Sequence, residues 1–100
     1  MARKGLLQRH LKRTLLVKKY AKKRQILLNE RDNASSFEEK SNLQRKLQRL
    51  PRDSSSTRLR NRCWKTGRGR GIYKDFGLSR HVSREMGNEG LIPGLMKSSW

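Results

Sequence analysis

Residues 62–82 read R-C-W-K-T-G-R-G-R-G-I-Y-K-D-F-G-L-S-R-H-V, a pattern with neither helical nor regular two-residue periodicity. Between Arg58 and Lys74 stand seven Lys and Arg and no acid. Arginines fall at alternate positions 58, 60 and 62, and again at 68 and 70. In an extended segment, alternation sends side chains to opposite sides, so neighbouring arginines can reach different phosphate strands. The glycines leave backbone N–H groups open to close approach. Cys63, Thr66, Ser79 and Val82 also carry the x2, x12, x2 rhythm of a four-ligand zinc ribbon. One thiol, two hydroxyls and an isopropyl group cannot hold Zn²⁺, which takes thiolate or imidazole ligands in structural sites. Spacing alone leaves coincidence open.

Toward the C-terminus, Ile72, Tyr73 and Phe76 can dock a short turn bent at Gly77. Ser79 is an N-cap for a helix through Glu85 or Met86, ended by Gly87 or Gly90. Leu91 to Leu95 form an apolar, non-helical tail that leads to Lys97-Ser98-Ser99-Trp100. Toward the N-terminus, Pro51 stops a helix running from Phe37 to about Leu50, with Leu43, Leu47 and Leu50 on one stripe. Ser36 and Glu39 have capping-box spacing at its start. Residues 32–36 break it from a longer helix over 5–31, where Leu7, Leu11 and Leu15 form one row and Leu16, Tyr20 and Leu27 a second. Two such stripes predict a helical hairpin with a thin core. The expected fold is mainly α: extended N-terminal helices, an irregular Arg/Gly-rich loop, and a small C-terminal module. The division falls into a basic helical extension, 1–50, and a C-terminal module, 51–100.

The partner follows from charge. Twenty-six Lys and Arg against eight Asp and Glu leave +18 on 100 residues, of which only 32% are apolar. Such a chain repels itself when compact and lacks material for a self-sufficient core, so ordering is deferred to a polyanion. Met1 to Arg31 holds eleven Lys and Arg against Glu30 alone. Like charges four apart destabilise a free helix, so this one is read as lying on phosphates, with Lys22 and Lys23 in contact. The longest apolar runs, Leu15-Leu16-Val17 and Ile26-Leu27-Leu28, span three residues, too few to cross a bilayer. A single Cys63 excludes an intramolecular disulfide. The first 29 residues lack acids, as transit peptides do, but are poor in Ser, and the mature protein is expected to begin at Met1. His10 and His81 lie in different segments, and Ser54, Ser55 and Ser56 have no base spaced to serve them. An enzyme is therefore not expected, nor a cofactor. A generic DNA-binding protein shares the charge but should show a recognition-helix pattern, and none is found.

The residues L-P-R-D-S-S-S-T-R-L-R-N-R-C at 50–63, T-G-R-G-R-G-I-Y-K-D-F-G-L-S-R at 66–80, R-E-M at 84–86, I-P-G-L at 92–95 and K-S-S-W at 97–100 carry a resemblance. They resemble the family of the fourteenth protein of the small ribosomal subunit. Its signature reads here as Arg62-Cys63, twelve residues, Phe76-Gly77-Leu78, Ser79, Arg80 and Arg84. The N-terminal helices agree in layout. The resemblance implies a structural rRNA-binding role in the subunit head, beside small-subunit proteins three, ten and nineteen, with neither membrane nor homo-oligomer. It also implies the longer, zinc-free form, so the C-terminal module is zinc-ribbon-like without metal. The implied RNA contacts are Arg58, Arg60, Arg62, Lys65, Arg68, Arg70, Tyr73, Lys74, Arg80 and Arg84, besides Lys22 and Lys23. Trp64, Tyr73 and Trp100 are candidates for stacking on an unpaired base. Gly69 stands where the family usually has proline, which should loosen the loop, and Ser83 where it more often has an apolar residue. The wording of 73–86 and the ending K-S-S-W are most similar to plastid versions, mitochondrial ones next; a bacterial cytoplasm is the remaining setting. Replacing Cys63 with Ser is expected to cost little, the thiol being read as a small packed or semi-exposed group.

Overall fold

The computed structural model describes Met1–Ser99, so the stacking proposed for Trp100 lies outside the described residues. The chain is mainly α: α1 (Lys4–Asn33), α2 (Phe37–Gln48) and α3 (Arg80–Asn88), with strands β1 (Ile72–Tyr73) and β2 (Leu78–Ser79). It divides into two compact units, Gln8–Leu59 and Met1–Leu7 with Arg60–Trp100. This division falls nine residues beyond the boundary expected from the sequence, and the first seven residues join the C-terminal unit. No helix among the described residues is long and apolar enough to cross a membrane.

In the Gln8–Leu59 unit, α1 runs on because neither Pro nor Gly interrupts it after Gly5. It buries no residue fully. The second expected row, Leu16, Tyr20 and Leu27, is half-buried, whereas Leu11 and Leu15 of the first row are 53% and 67% exposed. The correction has a physical cause. Arg13, Arg24 and Arg31 recur at helical spacing on the half-buried face, and their guanidiniums tie α1 to the returning chain. Arg31 donates to Gln44 (3.4 Å), Arg24 to the Ser54 hydroxyl (2.9 Å) and the Pro51 carbonyl (3.2 Å), and Arg13 pairs with Asp53 (3.3 Å). The face that carries these arginines turns inward, and the Leu11–Leu15 side turns out. Ser36 caps α2 by accepting from the Glu39 N–H (3.2 Å), as its spacing predicts. After α2 the chain makes two 3₁₀ turns, Arg52–Ser54 and Ser56–Arg58. Leu47, Leu50 and Ser54 are its buried residues.

The other unit is built around an antiparallel β1–β2 pair, Ile72 opposite Ser79 and Tyr73 opposite Leu78. Gly77, at φ +65°, closes the turn and donates its N–H to the Tyr73 carbonyl (2.9 Å). Ser79 caps α3 by accepting from the Val82 N–H (3.4 Å). The helix passes Gly87, reaches Asn88, and ends against Gly90, with the Leu91 N–H returning to the Met86 carbonyl (2.9 Å). Cys63, Leu78 and Val82 form the core, with Ile72, Met86 and Ile92 packed against it. A short loop is pinned beside this core: the Gly67 N–H reaches the Cys63 carbonyl (2.8 Å), and the Cys63 N–H reaches the Arg68 carbonyl (2.9 Å). The N-terminus docks there too, through the Ala2 N–H and the Thr66 carbonyl (3.2 Å).

Candidate nucleic-acid interface

The Arg/Gly loop is held by its own arginines. Arg60 Nε donates to the Gly69 carbonyl (2.6 Å), Arg62 Nη1 to that of Gly67 (3.0 Å), and Arg68 Nε to that of Arg70 (3.1 Å). Each guanidinium has five N–H donors, so one internal bond leaves most of the fork for a phosphate. Gly69 has a structural part in the loop besides the loosening expected of it. Its carbonyl is gripped by Arg60, and a Cβ there would meet Arg60 Nε at 3.1 Å and Arg62 Nη1 at 3.2 Å. The bare glycine lets two guanidiniums converge over the backbone. Lys65, Arg68 and Arg70 are exposed around this loop, and Arg62 is half-buried.

A few residues on, Lys74, Arg80 and Arg84 are exposed, and the Arg80 stem lies 3.6 Å from where a Gly71 Cβ would stand. The Arg80 N–H also donates to the Gly71 carbonyl (2.8 Å), which joins the loop to the start of α3. Trp64 and Tyr73 are 68% and 54% exposed, so both rings are open. The structure thus gathers Arg60, Arg62, Lys65, Arg68, Arg70, Tyr73, Lys74, Arg80 and Arg84 into one unit. Arg58 belongs to the other. Its Nη1 lies 2.8 Å from Asp53 Oδ1, an acid it shares with Arg13. Lys22 and Lys23 are exposed on α1 in that same unit.

The sequence reading missed the inward roles of Arg13, Arg24 and Arg31, although their shared helical face was visible in their spacing. It took Phe76 only as a residue docking the turn, whereas the ring is 40% exposed and edge-to-face with Tyr73 at 6.3 Å between centroids.

Cys63 is 2% exposed. Burial pushes its thiol up, but the polar groups around it, the Thr66 hydroxyl and the backbone of Ser79, Thr66 and Lys65, favour the thiolate more strongly and bring it down to about 6. Around it the zinc-ribbon positions do not fit a metal. The Ser79 hydroxyl caps α3, and the Val82 side chain is core hydrocarbon. No group of three or more His, Cys, Asp or Glu converges among the described residues.

Among the described residues only Arg13, Arg31 and Arg58 enter ion pairs, with Asp32 and Asp53 as the acids. Against a formal +18 this neutralises little. A family profile described as "Ribosomal protein S14p/S29e" matches residues 46–99. The chain is 64% identical over 100 residues to "Small ribosomal subunit protein uS14" of Acaryochloris marina (strain MBIC 11017), covering all of both chains. It is 60% and 58% identical, again over 100 residues and the whole of each chain, to "Small ribosomal subunit protein uS14c" of Tetradesmus obliquus and of Emiliania huxleyi. These relatives are cyanobacterial and chloroplast forms, in agreement with the plastid likeness of the C-terminal wording. The chain belongs to the ribosomal protein S14p/S29e family, structural constituents of the small ribosomal subunit rather than enzymes.

Proposed function

We propose that this protein braces converging rRNA strands in the head of the small subunit of a plastid-type ribosome. One unit presents Arg60, Arg62, Lys65, Arg68, Arg70, Lys74, Arg80 and Arg84, with Tyr73 beside them. The other presents Lys22 and Lys23, with Arg58 as a weaker contact because Asp53 already holds it. The carrying observation is the cationic surface left unpaired after three internal ion pairs. Phosphate contact supplies affinity and register, and base readout is minor because A-form helices hide their base edges. Small-subunit proteins three, ten and nineteen are the proposed neighbours, with no membrane and no second copy of the chain. The 51–100 segment acts as the RNA-binding module and 1–50 as its basic extension. Native protein should sediment with small subunits and stay bound at moderate salt. Recovery in the ribosome-free supernatant under those conditions would sink this reading.

The Cys63–Thr66 loop and the Ser79–Val82 turn are assigned to a zinc-ribbon-like module in which packing replaces the metal. What supports this is that the first and last positions, Cys63 and Val82, meet in one apolar cluster. A chelator should then leave thermal unfolding unchanged, and a lowered midpoint would refute the assignment.

A further inference from the structure

The C-terminal unit contains a cleft of about 650 Å³, within the ~300–1,000 Å³ range of small-molecule sites. Tyr73, Phe76, Arg80, Ser83, Arg84 and Lys97 line it. Its aromatic corner is Tyr73 against Phe76, two exposed rings at 79° to one another. Arg80 and Arg84 stand one helical turn apart on α3. Neither guanidinium makes a hydrogen bond or ion pair among the described residues. Lys97 is anchored at the margin, its Nζ donating to Asn88 Oδ1 at 2.8 Å. Gly87 makes room for the tail: a Cβ there would stand 2.8 Å from Leu95 Cδ2, so the Leu95 side chain packs closely over that bare position.

The cleft also holds an unexplained polar group. Ser83 is 7% exposed, and its hydroxyl has no hydrogen-bond partner. A buried hydroxyl without a partner costs about 1–3 kcal/mol, and an apolar side chain at this position would avoid that cost. A donor and acceptor placed among aromatic faces and guanidiniums matches one chemical class. Planar heterocycles stack on the rings, a phosphate meets the arginines, and a base edge or ribose hydroxyl that parts the wall reaches the Ser83 Oγ, which is shut off from solvent in the free chain.

We propose that this cleft receives a single unpaired nucleotide of an RNA strand, its base on Tyr73 and Phe76 and its phosphate on Arg80 and Arg84. This rests on the RNA-binding reading above and adds base-level selectivity to it. The cleft sits beside the Arg/Gly loop through Arg80 and Gly71, so a strand bound on that loop can deliver the base.

The test uses the full-length chain and two RNAs, a short duplex and the same duplex carrying one bulged 2-aminopurine. The bulged RNA should bind roughly tenfold more tightly at fixed salt, with the fluorescence of the analogue quenched by stacking. Phe76→Ala should bring the ratio of the two affinities close to one and abolish the quenching. Ser83→Ala should lower the ratio severalfold; removing an unpartnered hydroxyl spares the fold, so this variant decides the matter should Phe76→Ala fail to fold. A wild-type ratio near one, with both RNAs bound, would refute the cleft and leave the RNA-binding reading standing. Failure to bind either RNA would overturn both. Adenosine monophosphate should not displace the bulged RNA at micromolar concentration; displacement there would make the ligand a free nucleotide and overturn the assignment to a strand.

Discussion

At Gly67 the backbone stands at φ +76°, and a methyl group there would lie 2.6 Å from Leu7 Cδ2 and 3.1 Å from Ala2 Cβ. Gly67→Ala therefore carries two penalties, a left-handed backbone and a displaced N-terminus, and should destabilise the unit by about 2–3 kcal/mol. Gly94→Ala, at φ +72° with nothing within 4 Å, isolates the backbone part and should cost only about 1 kcal/mol. Denaturant midpoints of the two variants check this, and equal shifts would mean the N-terminal contact contributes nothing. Cys63 needs a revised expectation. Its replacement looked cheap for a small packed or semi-exposed thiol. The structure puts it at 2% exposure inside the core, so Cys63→Ser should cost about 1–2 kcal/mol by burying a hydroxyl in place of sulfur. Its folded-state pKa, about 6, lies below the unfolded value near 8.5. A depressed acid contributes stability that is fully present above the unfolded pKa and lost as pH falls through the folded one. Stability should accordingly decline from about pH 9 to about pH 6, and Cys63→Ser should flatten that slope in urea titrations.

At the scale of elements, most of the helical layout was legible. The long basic stretch, the break at 32–36, the Ser36 cap and the Ser79 cap all depend on local chemistry, and the structure places each within two or three residues of its reading. What stayed hidden depended on distant partners. The leucines of α1 lie on several sides of the helix, so hydropathy alone could not choose the inward face. The choice is made by Arg24 meeting Ser54 and Pro51, and by Arg13 meeting Asp53, across 27 to 40 residues. Strands β1 and β2, two residues each, are too short to show a period. Arg24→Ala should destabilise the Gln8–Leu59 unit by about 1–2 kcal/mol, because the buried Ser54 hydroxyl and a carbonyl lose a charged donor. Lys22→Ala, exposed on α1, should change stability by less than about 0.5 kcal/mol. Thermal melts of the two variants separate the arginine that ties protein to protein from the lysine left for phosphate; equal losses would contradict the division.

Over the whole molecule, the cationic excess was plain from composition, yet which cations are committed internally was not. Arg60, Arg62 and Arg68 each give one N–H to a neighbouring carbonyl, and Arg58 goes to Asp53. Only a folded backbone reveals such acceptors. The buried set among the described residues is small, with Leu47, Leu50, Cys63, Leu78 and Val82 its apolar members. The free chain should thus be only partly ordered at low salt, with helical circular dichroism rising when head-domain rRNA is added. A sharp RNA-independent melt would show that this small core suffices. Binding itself should follow counterion release, in which each phosphate contact adds roughly 0.7 to 0.9 to the slope of log affinity against log salt. Changing Arg68 and Arg70 together to Ala should weaken binding and flatten that slope. Arg58→Ala should do less, since its partner is already an acid. Converting Arg68 and Arg70 to Lys keeps both charges but removes the planar fork, and with it the Arg68 Nε bond to the Arg70 carbonyl (3.1 Å) that fixes the loop. The Lys version should retain most of the salt slope and still lose affinity. If it binds as tightly as the wild type, the loop is a diffuse cloud of charge and its geometry is idle; if the Ala version does, the loop does not touch RNA.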